Sequence, residues 1–199
     1  LPEVLGVMER AEAEKKTIVR LHTGDPSIYG AIREQMDRLE EMGIAYDVCP
    51  GVSSFNGAAA SLGAELTLPE VSQTVIITRM AGRTAVPERE SFRSLAAHHS
   101  TMAVFLSAGL LEEMEEELKE AGYRPDTPAA IVYKATWPEE KAVRCTVSTL
   151  KETAEREGIR KTAMILIGNV LGTREENGYA DSRLYAPDFT TGFRKGTDA

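Results

Sequence analysis

The chain has 199 residues, with 23 Lys+Arg against 31 Asp+Glu and a formal net charge of −8. Its 42% hydrophobic and 27% charged residues are ordinary for a globular protein, and a chain of this length buries roughly 70% of its unfolded surface without a disulfide or metal staple. The acidic balance argues against a general nucleic-acid binder, and no apolar run approaches the ~18 residues that a membrane span needs.

Residues 3–16 read as a helix, with Val4, Val7, Met8 and Ala11 at helical spacing, and are too charged for a signal peptide. Residues 17–21 read as a strand, and His22-Thr23-Gly24-Asp25-Pro26-Ser27 as the turn that opens a second helix. Ile28, Ile32, Met36 and Leu39 share a face of that helix, and Gly43 ends it. Residues 44–49 read as a strand, stopped by Pro50-Gly51. A helix of small residues follows over 53–62. Strand, helix, strand, helix is the pattern of a parallel α/β sheet.

A boundary is expected at 66–69. Beyond it come a strand (74–78), a basic loop (79–87), a helix (88–98), a strand (103–106) and a helix (110–121). Two strands follow (129–134 and 142–146). A helix over 149–157 opens on a capping box, Thr149-x-x-Glu152, and a last strand covers 163–167. In the tail, 173–199, Leu184, Tyr185, Phe189 and Phe193 are the candidate anchors. The expected domains are therefore 1–69, 70–172 and the tail 173–199. Small ligands bind in such folds at the carboxyl ends of strands and in clefts between domains.

Each chemical candidate has a plainer alternative. Asp25 offers a carboxylate to a ligand or a cap to a helix. Ser53 and Ser54 open the next helix and serve equally as caps. Arg79, Arg83, Arg89 and Arg93 cluster around Gly82. Guanidinium forks suit carboxylates and phosphates, while solvated surface charge is the plain reading. His22, His98 and His99 show no metal-ligand spacing, so no metal site is expected. There is no GxGxxG, GxxxxGK[ST] or GxSxG. Cys49 and Cys145 read as reduced core cysteines of a cytosolic protein.

The string Val19-Arg20-Leu21-His22-Thr23-Gly24-Asp25-Pro26-Ser27-Ile28-Tyr29-Gly30 resembles the second glycine motif of the tetrapyrrole methylase family. The likeness continues through Pro50-Gly51-Val52-Ser53-Ser54-Phe55, Glu65-Leu66-Thr67-Leu68-Pro69, Gly82-Arg83-Thr84, Phe105-Leu106-Ser107 and Tyr133-Lys134-Ala135-Thr136-Trp137-Pro138. The Gly82-Arg83-Thr84 loop and the segment 134–138 resemble the branch that methylates C-11 of precorrin-4 or cobalt-precorrin-4 in cobalamin biosynthesis. The resemblance implies a two-domain α/β fold, with an N-terminal parallel-sheet domain and a C-terminal mixed-sheet domain. It also implies S-adenosylmethionine in the cleft between them.

The cofactor residues it implies are Thr23, Gly24, Asp25, Ile28, Ser53, Ser54, Leu106, Ser107, Ala135, Ala163 and Met164. Arg79, Arg83 and Lys134 are the expected ligands of the substrate carboxylates, which an acidic protein would otherwise repel. No catalytic base is singled out. A homodimer is implied, with no nucleic-acid or membrane partner. The family's opening Gly-x-Gly-Pro-Gly-Asp pattern does not occur here. The chain starts at Leu1, so the first domain is expected to be truncated, without its opening strand. Another methyltransferase of this family, or a non-catalytic dimerisation or ligand-binding fragment, stays open as an alternative.

Overall fold

The computed structural model describes residues 1–197, leaving aside the side chain of Asn177. The last two residues of the tail lie outside the described residues. The chain forms two compact units, Leu1–Gly57 and the residues from Ala58 onward. Residues 58–69, read from sequence with the first domain, fall in the second unit.

The first unit holds α1 (Pro2–Ala13), α2 (Arg33–Glu41) and the first turn of α3 (Ser54–Leu62). Pro2 sits where the missing N–H costs nothing, and α1 buries Leu5 and Met8. It ends earlier than the sequence suggests, because Lys15 takes a left-handed φ of 54°. The helix expected from Pro26 onward starts only at Arg33. Residues 26–29 form a turn, and Tyr29 and Ala31 at φ 54° and 50° break the helical path. The two expected strands, 17–21 and 44–49, run without ladder hydrogen bonds among the described residues. Apolar sequence makes an extended segment, but a ladder needs a partner at hydrogen-bonding distance.

The second unit is built on one mixed sheet of β1 (Val75–Arg79), β2 (Thr101–Phe105), β3 (Pro128–Tyr133), β4 (Lys141–Thr146) and β5 (Ala163–Ile167), in the order β1-β2-β5-β3-β4. β1 and β2 are parallel, and β5 is antiparallel to both β2 and β3. β1, β2 and β3 therefore end at the same edge of the sheet, where β5 begins. Val104, Ile165 and Ile131 lie in one cross-strand row, all fully buried. With Met102, Ala129 and Ile167 they form the face that meets α4 (Phe92–Ala96), α5 (Leu111–Glu120) and α6 (Leu150–Glu157) through Phe92, Met114, Leu118 and Leu150. The opposite face is also closed, with Ala103, Ala130, Val132 and Leu166 buried, so the strands read as continuous apolar runs.

Three local readings need correction. The helix expected over 88–98 is split by Ser91, whose extended backbone ends one short turn and whose hydroxyl caps α4 by accepting from the Ser94 N–H. The capping box before α6 is Thr146 with Thr149, one turn earlier than Thr149 with Glu152. In the tail, Thr173 and Glu176 form a capping box on α7 (Arg174–Asn177). The expected aromatic anchors are exposed there, Tyr185 at 81% and Phe193 at 104%. The Arg194 guanidinium folds the tail on itself, donating to the Leu184 and Ala186 carbonyls at 3.0 and 2.7 Å.

Candidate functional site

In the first unit the structure brings the two motif turns together. Gly24 has a left-handed φ of 67°. A Cβ placed on it would lie 3.5 Å from the Val52 carbonyl and 3.6 Å from the Ser54 amide. The approach is closest at Gly51, where a Cβ would stand 2.2 Å from the Gly24 carbonyl oxygen, so only glycine fits. Thr23, Gly24, Asp25, Ser53 and Ser54 thus share one turn–turn junction, with Ile28 half-buried beside it.

Asp25 is the clasp of that junction. One carboxylate oxygen accepts from the Ser27 amide at 2.9 Å and from the Ser27 hydroxyl. The other accepts from the Gly51 amide at 2.9 Å. The Ser27 hydroxyl first, and then the Gly51 and Ser27 amides, hold the carboxyl below its ordinary value. Asp25 therefore caps a turn and ties it to its neighbour. Ser27 was missed at the sequence level, although an Asp-x-Ser pattern at a turn is the usual signal for this bond.

Beside the junction lies a cavity of about 800 Å³, lined by residues 16–22 and 44–51, with Met8, Met36 and Leu39 among its other walls.

In the second unit the expected residues gather at the edge where β1, β2 and β3 end. Arg79 pairs with Phe105, and Tyr133 with both Ala163 and Lys141. Leu106, next after Phe105, is 75% exposed at φ 54°. Lys134 and Thr136 are also left-handed, at φ 46° and 70°. With Thr162, at φ 56° just before β5, four left-handed non-glycine residues stand at one sheet edge, a recurring mark of functional loops. Ala135 is half-buried between two of them, and Ala163 opens β5 with Met164 buried behind it. The hydroxyl of Ser107 is fully buried. It accepts from the Met80 amide at 2.9 Å and donates to the Phe105 carbonyl at 2.7 Å, joining the ends of β1 and β2.

The loop after β3 is held by its own bonds. The Lys134 amide donates to the Thr162 carbonyl at 3.0 Å. The Thr136 amide donates to Glu140 at 2.5 Å, and the Ser61 side chain also bonds that carboxylate, which lowers its pKa. Glu140 escaped the sequence reading. Lys134 is half-buried, with its ammonium 5.4 and 5.1 Å from the Tyr133 and Trp137 ring centres and 3.5 Å from Glu139.

The four arginines separate into distinct roles. Arg93 pairs with Glu117 and Glu120 across α4 and α5, and Arg89 with Glu90. Arg79 donates to three main-chain carbonyls, those of Met80 at 3.1 Å, Thr84 at 3.1 Å and Ala85 at 2.7 Å. Arg83, on the exposed loop between, has no hydrogen-bond or ion-pair partner among the described residues.

The second unit has its own cavity, about 720 Å³, at the other edge of the sheet beside Pro128, Cys145 and Thr146. Its cations are engaged: Arg144 with the Leu171 and Leu62 carbonyls at 2.6 and 2.9 Å, and Arg174 with Asp181. Among the described residues no group of acidic, His or Cys side chains could hold a metal ion, and no helix is long and apolar enough to cross a membrane.

Comparison with known proteins bears on what this arrangement does. Over 195 residues the chain is 53% identical to the cobalt-precorrin-4 C(11)-methyltransferase of Methanocaldococcus jannaschii, covering 98% of this chain and 74% of that protein. A solved cobalt precorrin-4 methyltransferase, described as a cobalamin biosynthetic enzyme, matches with a TM-score of 0.85 at 50% identity, covering 87% of this chain and 72% of that one. The uroporphyrin-III C-methyl transferase of Thermus thermophilus, solved with S-adenyl homocysteine, matches with a TM-score of 0.66 at 26% identity, covering 83% of this chain and 71% of that one. The family model of the Tetrapyrrole (Corrin/Porphyrin) Methylases matches residues 3–151. With glycine turns, strained strand-end loops and three-quarters of its length aligned to that model, the chain belongs to the tetrapyrrole methylase family.

Proposed function

We propose that the chain is a methyltransferase that carries the methyl group of S-adenosylmethionine to C-11 of precorrin-4 or cobalt-precorrin-4 in cobalamin biosynthesis. The observation that carries this reading is 53% identity, over 98% of the chain, to a cobalt-precorrin-4 C(11)-methyltransferase. The solved relative at 50% identity bears the same substrate in its name, which supports the cobalt-containing form.

S-adenosylmethionine, when bound, supplies an already activated sulfonium methyl. The protein's task is then to hold donor and acceptor in line, which is positioning catalysis. Its residues suit that task. Thr23, Gly24, Asp25, Ile28, Ser53 and Ser54 form a junction of two closely packed turns, held by Asp25, beside the first unit's cavity. Leu106, Ala135 and Ala163, with Ser107 and Met164 behind them, put small or apolar side chains at that sheet edge, as a pocket for a flat purine requires. Arg83 and Lys134 supply positive charge for a substrate rich in carboxylates. Arg79 is committed to the main chain and contributes through it.

The reading is tested by incubating the chain with methyl-labelled S-adenosylmethionine and cobalt-precorrin-4. One labelled methyl should appear on the tetrapyrrole, and S-adenosylhomocysteine should bind in calorimetry. A chain that binds S-adenosylhomocysteine but methylates only a different tetrapyrrole position would overturn the assignment to C-11. A chain that neither binds it nor transfers methyl would overturn the enzyme reading. The family resemblance also supports a homodimer in the cytoplasm, and light scattering in solution reads the oligomeric state directly.

A further inference from the structure

We propose that Arg79 is a positioning residue, whose guanidinium closes the base of the loop after β1 and so sets where Arg83 stands toward the substrate's carboxylates. The substrate half of this inference rests on the functional reading above; the loop half rests on geometry alone. Arg79 is the last residue of β1 and half-buried. Its two terminal nitrogens reach the carbonyls of Met80, Thr84 and Ala85, at 3.1, 3.1 and 2.7 Å. Those carbonyls lie on both legs of one loop. Within it the Gly82 amide donates to the Thr84 carbonyl at 3.3 Å, which puts Arg83 at the tip of a tight turn.

Residues 81–85 are all exposed, so no core packing fixes the loop. The guanidinium is its principal tie. Charge-assisted bonds from a planar fork are strong and directional, and a lysine cannot span two carbonyls in the same way. The arrangement divides the labour between two cations. Arg79 spends its donors on the backbone, and Arg83 keeps its donors free. Met80, the first carbonyl in the grip, is also tied through its amide to Ser107 after β2. The loop's base is therefore referenced to the same sheet edge that carries Leu106.

The experiment uses Arg79→Met, Arg79→Lys, Arg83→Ala and the double variant Arg79→Met/Arg83→Ala, read by amide hydrogen exchange and steady-state kinetics. Arg79→Met should speed exchange at the Gly82 amide, which donates to the Thr84 carbonyl that Arg79 also holds, about tenfold or more, as the ties that close the loop's base are lost. It should raise the KM for the tetrapyrrole about tenfold, leaving kcat and the KM for S-adenosylmethionine within about twofold. Arg79→Lys, which keeps charge and stem and guards against a folding defect, should show most of both effects. Arg83→Ala should raise the same KM without changing loop exchange, and the double variant should be no worse than the worse single one.

Additive KM losses would overturn the proposal, because Arg79 would then act on substrate or fold independently of Arg83. Unchanged loop exchange in Arg79→Met would overturn it as well. If the parent transfers no methyl, the functional reading and the substrate half fall together, and the exchange measurement still decides the loop half.

Discussion

In the second unit, five extended segments meet as a sheet, and Val104, Ile131 and Ile165 disappear from solvent in one cross-strand row. In the first unit, two segments of similar composition, 17–21 and 44–49, run extended without a ladder and border a cavity of about 800 Å³. Val19 and Leu21 are 74% and 78% exposed there. β-branched and apolar sequence alone does not make a strand. What is measured as β-propensity is packing against neighbours, and an isolated extended pair is at best marginal in water. The sheet edge of the second unit is correspondingly well suited to hold strained loops, since the ladder beneath it over-determines their roots.

The largest test of this contrast strikes the central row. Ile165→Ala removes a fully buried side chain between Val104 and Ile131. It should lower the stability of the second unit by about 2–5 kcal/mol, read from the midpoint of its denaturant transition. Val19→Ala, in an exposed extended segment of the first unit, should cost less than about 0.5 kcal/mol. Comparable losses at the two sites would mean that the first unit packs as tightly as the second, and the contrast would fail.

The two thiols sharpen the same contrast chemically. Cys49, expected in the core, is exposed in the first unit because its segment has no sheet to pack in, whereas burial pushes the thiol of Cys145, on β4, up to about 11. At pH 8 only about one Cys145 thiol in a thousand would be ionised. A disulfide reagent should therefore modify Cys49 at least about a hundredfold faster than Cys145. Mass spectrometry of the partly labelled chain reads the order, and equal rates would show that the second unit opens as readily as the first.

These differences also mark what the sequence could reveal. Hydrophobic runs bounded by turn chemistry located β1, β2, β3 and β5 to within two residues, and β2, β3 and β5 are buried on both faces; β4, an edge strand that is exposed or half-buried along its length, was legible from its alternation and its turn-bounded ends. Elements were misplaced where a local bond outweighed periodicity: Ser91 splitting a helix, and Asp25 folding 26–29 into a turn. Extended segments without partners were invisible as such, since periodicity reports side chains and not neighbours. At the candidate site, the glycine turns were legible as strings. The separation of four arginines into a brace, a free tip and two surface ion pairs was not, because a guanidinium's partners are carbonyls and carboxylates that only the fold assembles.

Asp25 gives a pH-dependent test within the first unit. Its folded-state pKa lies below the ordinary 3.8, so its contribution is present above that value and is lost as pH falls through the depressed one. Asp25→Asn should speed amide exchange at Ser27 and Gly51 near neutral pH. The gap between parent and variant should persist at pH 3.8 and close only as the pH falls through the depressed folded-state pKa, where the parent's carboxyl takes up its proton. Equal protection at neutral pH would mean that the two turns hold together without the clasp.

The smallest effect is expected in the better-packed unit, at its one visible flaw. Thr101 opens β2 and is fully buried, yet its hydroxyl has no hydrogen-bond partner among the described residues. Gly168 packs directly against it: a Cβ there would lie 3.2 Å from the Thr101 Cα. A buried hydroxyl without a partner carries its desolvation cost with no return, so replacing it by a methyl group of nearly the same shape removes that cost. Thr101→Val should leave stability unchanged or raise it by up to about 1 kcal/mol, seen as a small upward shift in the denaturant midpoint at constant slope. The Thr101 amide, which accepts no change in this substitution, keeps its bond to the Ser72 hydroxyl at 3.1 Å. A loss of more than about 1 kcal/mol would instead show that the hydroxyl is satisfied in solution by water reaching the start of β2. The second unit would then be less dry than its fully buried rows imply.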